Sequence, residues 1–266
     1  MASFDFVDSA SRAYQFVWDK RDEVLRFSAM VLALKMLSFA AFVAFGLQKD
    51  VLLQGLLLLP SHLLEGWVIA TLIMMALYQY EAQEKNGQSI MPATQDMGKH
   101  IKASMIVYVL IKLMLSFVMG YTYEGQQGLP DTQPPDPTLQ TFIVAVMIIV
   151  FLIWAFRFLW IYIPIVMGRS LGEYLVKFRA FSDSFPLLGV WILCFVPVVL
   201  VMLVMSQIWD TVSGALGFGS DSIVFDTGMA IIQALIDYAL SLVSSLAVAY
   251  GMYSVFKGEN KKTDIW

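Results

Sequence analysis

Long apolar runs alternate with short polar segments along the whole chain. The stretch "TFIVAVMIIVFLIWAF" beginning at Thr141 is one such run. Apolar windows predict six helices, at residues 27–47, 61–80, 102–121, 142–167, 187–208 and 229–255. Each is close to the about 20 residues that cross the hydrocarbon core of a bilayer. The two-residue alternation of a membrane β-barrel is absent. The expected fold class is therefore all-α: one polytopic domain over residues 1–266, a bundle of six transmembrane helices with short amphipathic helices in its linkers.

Two linkers carry a helical period of their own. In residues 1–26, Val7, Ala10, Tyr14, Val17 and Val24 recur at helical steps with charges opposite, which predicts an amphipathic helix. Four basic residues there face five acidic ones, so a helix packed on the bundle or the interface is expected rather than an electrostatic anchor to acidic lipid. After the fourth span, "SLGEYLVKFRAF" opens with Ser170 and Glu173 in capping-box spacing. Pro186 then suits the first turn of the fifth span. "VLLQGLLLLP" at 51–60 reads as an amphipathic turn on the outer surface, and "GQQGLPDTQPPDPT" at 125–138 as a proline-rich outer loop.

Composition agrees with the pattern. The chain is 59% hydrophobic and 14% charged, against about 45–50% and about 25% in soluble domains. Cys194 is the single cysteine, so no intramolecular disulfide forms. The first apolar run follows a long polar segment and has no small-residue cleavage site after it, so a retained first span is expected.

Charge gives the orientation. Thirteen of the 17 Lys and Arg lie in segments that six crossings place on one side: Arg12, Lys20, Arg21 and Arg26; Lys85, Lys99 and Lys102; Arg169, Lys177 and Arg179; Lys257, Lys261 and Lys262. The opposite side holds Lys49 alone, with the acids Glu124, Asp131, Asp136, Asp210, Asp221 and Asp226 in its two later loops. The positive-inside rule makes both termini cytoplasmic.

The other three cations, Lys35, Lys112 and Arg157, lie within spans. Ionisable groups at that depth cost about 2.5–3.5 kcal/mol each on insertion scales, so they are candidate functional residues by default. Ser104, Tyr108, Lys112, Ser116 and Gly120 form a stripe on the third span; Gln233, Asp237, Ser241, Ser245 and Ala249 form another on the sixth. These stripes are expected to pack the third and sixth spans together. Asp237 reads as the one deep carboxylate, with Glu65 and Asp210 near outer ends, which predicts an Asp237–Lys112 or Asp237–Lys35 pair and leaves a surplus of cations. For Arg157, in "WAFRFLWIYIP", three roles are open: snorkelling to phosphate beside Trp154, Trp160 and Tyr162, a cationic pocket for an anionic lipid head group, or pairing between helices.

The motifs of most enzymes are missing. His62 and His100 fall on opposite sides, so no zinc or haem pair is expected, and no Walker loop or dinucleotide fingerprint occurs. "GFGSDS" has the look of a nucleophile turn, but no later span supplies a histidine. No cofactor, metal or nucleic-acid partner is expected. A transporter would use Lys112 and Asp237 as a relay with helices broken at Pro164 and Pro197, although the two halves show no repeat.

Two stretches carry a resemblance. "FDFVDSASRAYQFVWDKRDEVLRFSAMVLAL", and "RFLWIYIPIVMGRSLGEYLVKFRAF" followed by "FPLLGVWILC", are similar in arrangement to the YciC-like six-span bacterial inner-membrane proteins and to the membrane domain of glycerophosphodiesterase-linked proteins. The resemblance implies an inner-membrane location and six spans, and carries over no active-site residue. The expectation is a non-catalytic scaffold, assembly or accessory subunit of the envelope, in contact with lipid and with a membrane-protein partner or second copy. The alternative is a small transporter or a lipid- or anion-handling protein using Lys35, Lys112, Arg157 and Asp237, with Tyr108 and Ser241 beside them.

Overall fold

The structure is a computed structural model and describes residues 4–47, 50–83, 91, 96–127, 139–219 and 222–263. Lys49, Lys85, Asp131, Asp136, Asp221 and most of the proline-rich loop lie outside the described residues. Ten α-helices follow in chain order: α1 Phe6–Asp19, α2 Arg21–Ala44, α3 Val51–Leu57, α4 Leu59–Gln83, α5 Met97–Gln127, α6 Leu139–Ala155, α7 Tyr162–Val166, α8 Leu171–Lys177, α9 Ser184–Ala215 and α10 Ile223–Thr263. Among the described residues there is no strand. Six helical segments are long and apolar enough to cross a membrane: α2, α4, α5, the α6–α7 segment, α9 and α10. The protein is an all-α, multi-pass membrane bundle.

The prolines explain where helices start and break. Pro60 and Pro186 sit in the first turns of α4 and α9, where a missing N–H costs no helical bond. Pro164 has the same place in α7, because the fourth span is interrupted before it: α6 stops at Ala155 and Phe156–Trp160 winds as a 3-10 helix. Among the described residues only Pro197 lies inside a continuous helix.

α4 and α10 form the centre. Two-thirds of the membrane window of α4 is buried, and just over half of that of α10. Ile69, Leu72, Ile73 and Leu77 of α4 are fully enclosed, as are Leu246, Ala247 and Val248 of α10. α2 and α9 pack on α10, and α5 packs on α4. The α4–α5 approach is close because Gly66 has no side chain: a Cβ there would lie 3.0 Å from the Tyr108 ring.

α1 lies across α10 and α9. It starts at Asp5, whose carboxylate accepts from the backbone N–H of Val7 and Asp8, both at 3.0 Å. Its buried face agrees with the sequence reading at Ala10, Tyr14 and Val17 and departs from it at Val7. Ser9, Ala10, Ala13 and Phe16 are buried, while Val7 is exposed. Small residues let α1 approach the bundle, which rotates the contact face away from Val7. Ser170 caps α8 by accepting from the Glu173 N–H at 3.1 Å. Asp50 caps α3 in the same way through Leu53, and α3 folds back over α5, where a Cβ on Gly55 would come within 2.9 Å of Ser116.

The basic segments gather at one end. Arg12 lies over the Tyr80 ring at 4.8 Å, and Lys177 and Arg169 lie over Phe256 at 4.3 and 5.6 Å. Four segments distant in sequence therefore share that end of the bundle.

Candidate functional site

Four helices deliver one charge cluster to the interior. Lys35 of α2 is completely buried and places its Nζ 2.9 Å from Glu65 Oε2 of α4 and 2.5 Å from Asp237 Oδ2 of α10. Lys112 of α5 donates to Ser241 Oγ at 3.0 Å, with Asp237 Oδ1 at 3.6 Å and Glu65 Oε1 at 3.9 Å. His62 Nδ1 lies 3.3 Å from Glu65 Oε2. Asp237 thus sits between two lysines, and both pairings expected from the sequence occur at once.

Glu65 corrects the sequence reading. It was expected near an outer end; it is fully buried and bonded to Lys35. α4 begins only six residues earlier, but α2, α5 and α10 pack around α4 and bring Lys35 and Lys112 to this turn. With Glu65 counted, two carboxylates face two ammonium groups, and the expected surplus of cations disappears from the core. In a low-dielectric interior, such matching is what makes the charges tolerable.

The expected packing of the two polar stripes is corrected as well. α5 packs against α4, α7 and α3 rather than along α10. The stripes meet around Lys112, which reaches Ser241 and Asp237. Elsewhere their residues turn to other partners: Ser116 faces Gly55, Tyr108 meets Tyr162 edge-on at 5.1 Å, and Ser245 accepts from or donates to Tyr162 Oη at 2.7 Å. Between α5 and α10 this leaves a cleft of about 200 Å³, with Lys112, Asp237 and Ser241 on its floor. Asp237 is the more open of the two ions, its side chain 41% exposed against 18% for Lys112.

A second cavity, of about 330 Å³, lies one helical turn further along α2 and α10. Phe39 and Gln233, each four residues from Lys35 or Asp237, line it together with Gln54, Ser206 and Asp226. The Lys35–Asp237 contact lies between the two spaces.

Arg157 stands apart from the cluster. It is buried, and its guanidinium donates to the carbonyls of Phe178 and of Arg179, the latter at 3.0 Å. It also lies over the Trp154 ring at 4.4 Å and the Phe158 ring at 5.2 Å. Tyr174 Oη returns a hydrogen bond to the Arg157 carbonyl at 2.7 Å. The two carbonyls follow the last turn of α8, where backbone acceptors lack helical partners and a cation is favoured. Arg157 therefore joins the fourth span to the α8 terminus. Among the described residues its contacts are these backbone and ring partners; both hydrogen bonds are made through one terminal nitrogen, while its Nε has no hydrogen-bond partner.

The cluster brings together Lys35, Lys112, Asp237 and Ser241, with Tyr108 on the cleft wall, and leaves Arg157 outside. Among the described residues, no group of three or more His, Cys, Asp or Glu side chains is arranged to hold a metal ion. No family model, curated protein or solved structure matches the chain.

Proposed function

We propose that this chain is a non-catalytic protein of the bacterial inner membrane that acts as a scaffold, assembly or accessory subunit, with both termini in the cytoplasm and a relation to the YciC-like proteins. The observation that carries the reading is the balance of the intramembrane charges. In the central cluster Lys35 and Lys112 are matched by Glu65 and Asp237, and Arg157 lies outside it on two backbone carbonyls. A scaffold needs its ions paired; an anion path needs positive charge left over.

α6 adds support. Residues 142–152 are exposed throughout, and only 6% of the fourth span's window is buried. Such a helix has room for lipid or another membrane protein along its length. Native mass spectrometry of the protein released from its own membranes into nanodiscs tests the proposal. One defined partner, or a second copy, at fixed stoichiometry is the expected result. A monomer without a protein partner overturns it.

A second reading, a small transporter or lipid-handling protein, is favoured by the two cavities that flank the Lys35–Asp237 contact. Ion flux or lipid transfer by the purified protein in liposomes, abolished in Asp237→Asn, is the result that selects it.

A further inference from the structure

We propose that the cleft between α5 and α10 binds a small lipophilic organic cation, held by the Asp237 carboxylate against aromatic walls. The proposal goes beyond the scaffold reading and does not depend on it, since a scaffold also uses bound ligands.

Charge decides the sign of the occupant. Lys35 is sealed away from the cleft and Arg157 belongs to another contact. The ions that line the cleft are Asp237 and Lys112, and the carboxylate is the more exposed. An entering anion meets that carboxylate, whereas a cation is attracted by it. The cleft is therefore not the anion site that the lysines suggest in the sequence.

Asp237 also has bonding capacity to spare. Lys35 engages Oδ2 at 2.5 Å, while Oδ1 has Lys112 at 3.6 Å, beyond hydrogen-bond length. Lys112 has another carboxylate within reach: Glu65 Oε1 is buried, 3.9 Å away, and without a hydrogen bond among the described residues. A small swing of Lys112 towards Glu65 completes that oxygen and frees Asp237 Oδ1 for a ligand. The total charge of the cluster need not change for the site to open.

The walls select a cation that carries hydrocarbon. Tyr108, Trp160, Tyr162 and Trp191 supply aromatic rings, whose faces attract cations, quaternary ammonium groups in particular. Ile111, Leu115, Leu159 and Leu240 supply aliphatic surface. A hydrated inorganic ion needs a shell of oxygen ligands that these walls do not offer. The volume is below the roughly 300–1,000 Å³ of sites for drug-sized molecules, so the occupant is smaller than those.

Three probes share one phenyl ring and differ in the charge of a compact tetrahedral group: phenyltrimethylammonium, tert-butylbenzene and benzenesulfonate. Their binding is measured by titration calorimetry to the full chain in nanodiscs, with empty nanodiscs subtracted. The expected result is saturable 1:1 binding of the cation, at least tenfold weaker binding of the neutral isostere, and none of the sulfonate. Asp237→Asn should weaken the cation at least tenfold and leave tert-butylbenzene unchanged. Leu240→Trp fills the cleft while keeping all four ions, and should remove cation binding; it serves as the test if Asp237→Asn fails to fold. No cation binding, equal binding of cation and isostere, tighter binding of the sulfonate, or full cation binding by Leu240→Trp overturns the proposal. The partner stoichiometry that tests the scaffold reading is unaffected by any of these results.

Discussion

Two buried cationic sites in this protein are stabilised in opposite ways. At the centre, Lys35 and Lys112 from two helices face Glu65 and Asp237 from two others. Near the end that gathers the basic segments, Arg157 faces no carboxylate among the described residues and is held by two carbonyls and two aromatic rings. The difference follows from side-chain chemistry. A guanidinium spreads its charge over a planar fork that suits carbonyls and ring faces; an ammonium concentrates it and needs a counter-charge when water is excluded. The central site therefore ties four helices together through charge, and the peripheral site ties one span to one short helix through backbone.

Removing one charge from the centre should have the largest effect. Glu65→Leu leaves two buried ammonium groups sharing Asp237 and should cost about 3–5 kcal/mol, measured as the shift in unfolding free energy in mixed micelles. Adding Lys35→Met to it restores the balance and should recover most of the loss; a double variant as unstable as the single one would break the comparison.

Arg157→Met removes charged hydrogen bonds without stranding a counter-ion. It should cost about 1.5–3 kcal/mol. The loosening should be local: limited proteolysis should speed up at Arg179 while distant sites keep their rate. A loss equal to that of Glu65→Leu would mean the two sites are not different in kind.

Gly66→Ala sharpens the central side. The new methyl meets the Tyr108 ring at about its contact limit, so α5 must give by a few tenths of an ångström, at about 1 kcal/mol. Because α5 carries Lys112, stability should fall further in Gly66→Ala than in Gly98→Ala, where the position is open.

The smallest effect belongs to an exposed pair outside the bundle. Asp96, just before α5, accepts from Lys99 at 3.0 Å, and that hydrogen bond holds its carboxyl below the usual range. A carboxyl lowered by folding stabilises the fold above its unfolded-state pKa, and the contribution fades as pH falls through the folded value. Carboxyl carbon NMR should find Asp96 titrating at lower pH in the native chain than in Lys99→Ala.

Hydropathy alone made the six spans legible, because twenty-residue apolar runs have few other stable placements. Lys35, Lys112 and Asp237 were legible too, since each interrupts such a run. Glu65 was not, although its spacing from His62 put two polar groups on one helical turn. Its burial depends on α2, α5 and α10 packing around α4, which no local pattern records. The partners of Arg157 lie 21 and 22 residues further on as backbone atoms, and backbone acceptors have no letter in a sequence. On the N-terminal segment the period and most of the face were legible, since Ala10, Tyr14, Val17 and Val24 are buried or packed on the core; Ala13 was missed because it has little weight as a hydrophobe, yet it is completely buried.

The exposed helix α6 has a mechanical consequence. Tilt is set by packing against neighbouring helices and by interfacial anchors, and residues 142–152 of α6 make little such packing. Its 17 residues run directly into the 3-10 turn that holds Arg157 and Trp160. Any change in the tilt of α6 would therefore reach one wall of the cleft through Trp160, while α2, α4, α5 and α10 are joined by their ion pairs.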